Sequence, residues 1–179
     1  MMVEAINIRS MQLADIEQVR EIDLLSFSLP WPESAYRHEL TENPASLCWV
    51  AEADDTGGRL RIVGMTVVWL ILDEAHIATI AVHPDFRGRG IGTQMLTKIL
   101  EEASRNGARE AMLEVRENNT VAQAMYRRFG FEVVFRRPRY YRDNHEDALL
   151  MNLSNLPARL ADWQLEKSSK HQGLEGGNE

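Results

Sequence analysis

Arg87-Gly88-Arg89-Gly90-Ile91-Gly92 sets three glycines and two arginines in one short run. The chemistry this serves is the holding of a phosphate. Without Cβ atoms the glycine backbone can approach a ligand closely. The run leads into a helix, and the free N–H groups and positive dipole end of a helix start favour an anion. Arg87 and Arg89 add planar donors suited to phosphate oxygens. Two familiar phosphate loops do not fit. A P-loop needs Lys and then Ser or Thr after its last glycine, but Gly92 is followed by Thr93 and Gln94. A dinucleotide fingerprint needs glycine where Thr93 stands and opens directly from its strand, whereas His83-Pro84-Asp85-Phe86 intervene here. On these residues alone, a glycine-softened turn that binds nothing stays open.

Other side chains could move protons or wall a site. Glu114 stands between apolar Leu113 and Val115, where a charge needs a reason. That reason is either general-base work or an outward-facing strand position, since alternation sends Glu114 away from both neighbours. Tyr126 is either a proton donor, protonated at neutral pH, or an ordinary half-buried helix aromatic. Asn119 lies two helical turns before Tyr126 and can face the same side; it also suits a helix cap. Trp31, Tyr36, Tyr140 and Tyr141 are candidate wall residues, though each alone reads as packing. The tyrosine pair sits in a polar, Arg-rich loop. Cys48, the one cysteine, reads as a small buried hydrophobe. His76, His83 and His145 lack metal-ligand spacing, so no metal is expected.

Those residues need elements to position them. Apolar patterning predicts strands over 3–9, 47–53, 61–72, 76–82, 110–115, 131–135 and 148–153. Helical spacing appears over 13–25 and 33–40, the second opened by Pro32. The stripe Ile91, Met95, Leu96, Ile99, Leu100 and Ala103 gives a third helix, stopped by Asn106-Gly107. Val121, Met125 and Phe129 line a fourth that Gly130 ends. Residues 54–58 read as the turn of a hairpin. The order, a hairpin early and βαβα later, means a mixed α/β domain with helices on the faces of a central sheet. It occupies residues 1–153. Residues 154–179 form a polar tail in which Leu156, Leu160 and Trp163 could make one short helix packed back on the core, the remainder being mobile.

The 179 residues suit one domain, and a 44% hydrophobic fraction is enough for a real core. No apolar run is long enough to span a bilayer, and no secretory signal is visible at the N-terminus. A cytoplasmic protein is expected. Net charge −7 argues against nucleic-acid binding and suits a cationic partner such as a free amine.

The whole segment 80–92, closing on Arg87, Gly90 and Gly92, resembles the acetyl-CoA signature of the GNAT superfamily. Leu113-Glu114-Val115-Arg116 with Asn119, Ala122, Tyr126, Gly130 and Phe131 resembles the second half of that fold. Leu29-Pro30-Trp31-Pro32-Glu33, and Tyr140-Tyr141 followed by Glu146-Asp147-Ala148, resemble the RimI type. These are bacterial N-terminal alanine acetyltransferases acting on a small-subunit ribosomal protein. The resemblance covers roughly residues 5–153. It implies a mostly antiparallel sheet of about seven strands with about four helices. It implies acetyl-CoA as co-substrate, its pyrophosphate on Gly88 to Thr93 with Arg87 and Arg89. It implies that Ile80, Ala81 and Val82 run beside the pantetheine arm, that Asn119 bonds that arm, and that the Val82 N–H polarises the thioester. Glu114 is implied as base and Tyr126 as acid for the leaving thiolate. The implied acceptor is the N-terminal α-amine of a protein, with Trp31, Tyr36, Tyr140 and Tyr141 around it. A small-molecule amine acetyltransferase and a non-catalytic acetyl-CoA-binding module are the rival readings. No membrane contact is expected, and oligomeric state is left open.

Overall fold

The computed structural model describes residues 6–54 and 58–175. Seven strands form one sheet: β1 (Asn7–Ser10), β2 (Ser46–Asp54), β3 (Leu60–Ile71), β4 (Glu74–Val82), β5 (Glu110–Arg116), β6 (Glu132–Arg137) and β7 (Ala148–Leu153). Their spatial order is β1-β2-β3-β4-β5-β7-β6. Every pair is antiparallel except β4 with β5. That exception has a simple origin. Short turns reverse the chain from β2 to β3 and from β3 to β4, but a parallel neighbour needs a long crossover. Here it is α3 (Ile91–Arg105). The expected first strand begins later, at Asn7, and residues 3–5 of that reading lie outside the described residues, as do 55–57 of the β2–β3 turn.

Period-two alternation in β2 and β3 divides the core between two faces. On one face, Cys48, Val50, Met65 and Val67 meet α1 (Ile16–Ser26) and α2 (Glu33–Thr41) through Ile16, Val19, Ile22 and Tyr36. On the other, α3 lies against the sheet with Leu96, Ile99, Leu100 and Ala103, beside Tyr126 and Phe129 of α4 (Thr120–Arg128). Gly64 lets α3 come close: a Cβ there would lie 2.5 Å from the Met95 sulfur.

The tail differs from expectation. The helix α5 (Leu156–Glu175) runs for 20 residues and is not short. Asn155 turns the chain out of β7 with φ 55°, and Leu156 donates its N–H to the Arg109 carbonyl at 2.8 Å. Leu156 and Leu160 then join the core, and Trp163 meets Phe129 edge-on at 4.9 Å. Three anchoring side chains at helical spacing thus nucleate the helix, and the polar residues after them continue it. Of the polar signals in this segment, Gly176-Gly177 lie outside the described residues.

Candidate active site

The parallel pairing of β4 and β5 lasts only from Glu74↔Glu110 to Ile77↔Leu113. The register of β4 on β3 shifts between Val67 and Val68, leaving Ala78 unmatched. A bulge of this kind bends its strand. Past it, β4 follows β3 and β5 follows β7, so the two strands part and a cavity of about 2000 Å³ opens between them. On the parted edge of β4 the backbone is usable. His83 donates to Val63 on β3 at 2.8 Å. Alternation then turns the N–H groups of Val82 and Ile80 the other way, into the opening. Ala81, opposite Met65, directs its backbone at β3 and contributes wall only.

At one end of the opening lies the glycine loop. Gly88 and Gly90 have φ of 76° and 79°, a left-handed conformation that glycine adopts without strain. A Cβ on either would meet nothing within 4 Å. Gly90 caps α3, so the first helical N–H groups, on Ile91, Gly92 and Thr93, have no acceptor within the helix. Arg87 binds the Val82 carbonyl at 2.9 Å and the Ser26 hydroxyl at 3.0 Å, tying the strand end to α1. Arg89 does not line the cavity. It turns back to the Asp85 carbonyl at 3.0 Å, with its guanidinium over the Phe86 ring. The left-handed glycines on either side of Arg89 reverse the chain there, and they aim its side chain outward.

At the other end stand the proton-handling groups. Glu114 projects from β5 into the opening and pairs with Arg137 at 2.7 Å. The Tyr140 phenol lies against the same carboxylate, and that negative neighbour pushes its pKa up. Tyr141 stacks edge-on to Tyr140 at 5.3 Å. Burial pushes Tyr141 up to about 12, against the pull of Arg116, whose guanidinium lies 3.8 Å from its ring centre. Tyr126 is buried on α4 but lines the cavity, and burial, with Tyr141 nearby, raises its pKa above the ordinary value. Asn119 caps α4 by accepting from the Ala122 N–H at 3.1 Å, and it also borders the cavity.

Trp31 forms a wall, stacked on Trp69 with ring centres 6.1 Å apart. Tyr36 does not reach the site. It is fully buried 5.4 Å behind Trp31, its hydroxyl near Asp23 without a completed hydrogen bond. Its place on the inner face of a short helix makes it a support for Trp31. All the other candidate site residues from the sequence line one cavity.

Three more residues belong to the site, none of them a site candidate from the sequence. Asp23 accepts from the Trp31 backbone N–H at 2.6 Å and fixes the chain at that position; burial raises its pKa. Its signal was available, since it stands four residues after Val19 on the buried stripe of α1. Trp69 is the second. The third is Arg116, which pairs with Asp143 at 2.9 Å and Glu146 at 3.1 Å and also donates to Ser28 at 2.9 Å. Ser28 in turn donates to Asp143 at 2.6 Å. This latch joins the α1–α2 loop to the β6–β7 loop across the opening.

The acetyltransferase (GNAT) family matches residues 16–131. A Bacillus subtilis protein, provisionally named as a ribosomal protein bS18-alanine N-acetyltransferase, is 38% identical over 144 residues, 80% of this chain and 92% of its own length. The crystal structure of the ribosomal-protein-S18-alanine N-acetyltransferase from Escherichia coli aligns with TM-score 0.74 at 27% identity, covering 84% of this chain and 94% of the other. Arabidopsis thaliana NAA60, crystallised with acetyl-CoA, shares the fold with TM-score 0.75 at 19% identity, covering 84% of this chain and 98% of its own.

Proposed function

Because the chain belongs to the acetyltransferase (GNAT) family, we propose that it transfers the acetyl group of acetyl-CoA to the free α-amine of a protein N-terminus, the N-terminal alanine of ribosomal protein bS18 being the acceptor its named relatives point to. The observation that carries this reading is Glu114, set in the strand opening between the tyrosine pair and the free edge of β4.

The residues fit the co-substrate by their donor set. Acetyl-CoA supplies an activated thioester, carried on an arm with two amides and a pyrophosphate. The open glycine loop and the start of α3 offer N–H groups and dipole to the pyrophosphate. The free edges of Ile80 and Val82 offer strand-like pairing to the amides, with Asn119 and Arg87 at the borders. The N–H of Val82 is the donor placed to polarise the thioester carbonyl.

An α-amine has a pKa near 8, so only about a tenth is neutral at pH 7. Glu114 takes the amine proton, directly or through one water. Arg137, 2.7 Å from its carboxylate, holds Glu114 in place at the opening. As the C–N bond forms, the C–S bond breaks, and Tyr126 gives its proton to the departing sulfur. Its raised pKa guarantees that this proton is present throughout the neutral range. Trp31 and Tyr141 line the same opening and are the aromatic walls offered to the first residue of the acceptor.

The test is CoA release with three acceptors: a peptide beginning with alanine, the same peptide blocked at its N-terminus but containing lysine, and spermidine. Turnover of the first alone is the expected result. Turnover of spermidine alone would transfer the assignment to small amines.

A further inference from the structure

The opening ends where β4 and β5 are still paired. In that row Trp69 on β3 stands opposite His76 on β4, and His76 opposite Met112 on β5. All three line the cavity. Glu114 is the next residue after Met112 on that face of β5, about 7 Å along the strand. An acceptor whose amine meets Glu114 therefore has the Trp69 row beside its first side chain.

Trp69 is the end of an aromatic stack. Tyr36, Trp31 and Trp69 follow one another with ring centres 5.4 and 6.1 Å apart. The last ring is tethered from behind. The Trp69 indole N–H donates to Glu39 Oε2 at 3.0 Å. Glu39 comes from α2, is buried, and does not line the cavity. The same oxygen accepts from Asn43 Nδ2 at 2.8 Å, and Asn43 Oδ1 accepts from the Ala45 N–H at 3.1 Å. The Ala45 carbonyl in turn accepts from the N–H of Leu70, the neighbour of Trp69, at 2.8 Å. An oxygen held by Asn43 has one place, and it fixes the direction of the indole N–H. A ring held this way cannot swing aside for a larger side chain, as an untethered one could. An apolar side chain would fill the space at residue 39 without the desolvation that a carboxyl group suffers there, so packing alone gives no reason for Glu39.

We propose that Trp69 limits the size of the acceptor's first side chain and that Glu39 is its positioning residue, acting through the indole N–H. This rests on the α-amine reading above. The test is kcat/KM for two peptides that differ only in their first residue, alanine or leucine. Wild type should favour alanine. Glu39→Leu leaves the indole N–H without its acceptor, and the alanine-to-leucine ratio should fall about tenfold, the scale of a hydrogen bond to a charged group. Glu39→Gln keeps an acceptor oxygen and should hold the ratio within about twofold. Trp69→Phe keeps an aromatic ring without the N–H. It should lower the ratio by a similar factor, and adding Glu39→Leu should lower it no further. CoA affinity by calorimetry should stay at the wild-type value in every variant. Should Glu39→Leu fail to fold by circular dichroism, Trp69→Phe decides alone, because it removes the same bond from the other end. A melting temperature lowered by Glu39→Leu with the ratio unchanged would make Glu39 a packing residue and overturn the proposal. So would a further loss on combining the two changes, or a wild type that accepts both peptides equally. A wild type that acetylated neither peptide would overturn the α-amine reading as well.

Discussion

At the scale of single residues, the two proton carriers should fail in different ways. Glu114→Gln keeps the shape and loses the base, so turnover should fall by about 10²–10⁴-fold. The deficit should be largest near neutral pH and shrink in alkaline buffer, where the amine deprotonates unaided; a pH–rate profile reads this directly. A flat deficit across pH would instead mark Glu114 as a structural partner of Arg137. Tyr126→Phe should depress kcat by a similar factor while leaving the acetyl-CoA dissociation constant within about twofold, because the packing against Phe131 stays. Equal loss of affinity would place the hydroxyl in binding. Both residues were visible in the sequence, as a charge inside an apolar strand and a phenol at the right helical distance from Asn119. What was not visible is what surrounds them. Arg137 reaches Glu114 from β6, and Arg116 holds Ser28 from 88 positions away. Such meetings depend on strand order, which no local spacing encodes. Arg89 and Tyr36 failed for the opposite reason. Residue type suited the site, but a left-handed turn and a helix phase aimed each side chain elsewhere.

Secondary structure was more legible, because each element carries its own periodicity. The strands β2 to β5 and β7 and the helices α1 to α4 lie where alternation, helical stripes, Pro32 and Gly107 put them. The bulge at Ala78 was hidden, since the residues of β4 alternate without interruption and the mismatch exists only against β3. Gly64 offers a test of how α3 is seated on the sheet. Gly64→Ala drives a methyl into the Met95 sulfur and should cost about 1–3 kcal/mol by denaturant unfolding. In the Met95→Ala background the same change should cost much less, giving a coupling measurable in a double-mutant cycle. Additive losses would mean that Ala51, whose Cβ would be 3.3 Å away, makes the clash instead.

For the molecule as a whole, stability should respond to acid through one ion cluster far from the site. Arg9 holds Asp15 at 2.7 Å and Glu52 at 2.6 Å, fastening β1 and the start of α1 to the sheet. Burial pushes the Asp15 carboxyl up, but its bonds from Arg9 and the Gln12 N–H outweigh this and leave it below its usual value. The Arg9 hydrogen bond likewise lowers Glu52. Carboxylates lowered by folding stabilise the protein above the ordinary range near 4, and that stabilisation is lost as pH falls through their lower native values. Asp15→Asn should therefore reduce stability by about 1–3 kcal/mol at pH 7. The gap from wild type should close as pH drops below about 4, as thermal melts across pH will record. A gap that widens in acid would contradict the assignment. The parted strands have a different consequence. Past Ile77 and Leu113, β4 and β5 each turn a bare hydrogen-bonding edge toward the other, and such edges recruit foreign strands. A ligand that pairs with one edge and fills the gap protects the protein from self-association. Light scattering during gentle heating should then fall when CoA is added, alongside a stabilisation of about 2.7 kcal/mol at a hundred times the dissociation constant. The cellular supply of coenzyme would set how much of this enzyme stays in solution as well as how fast it works.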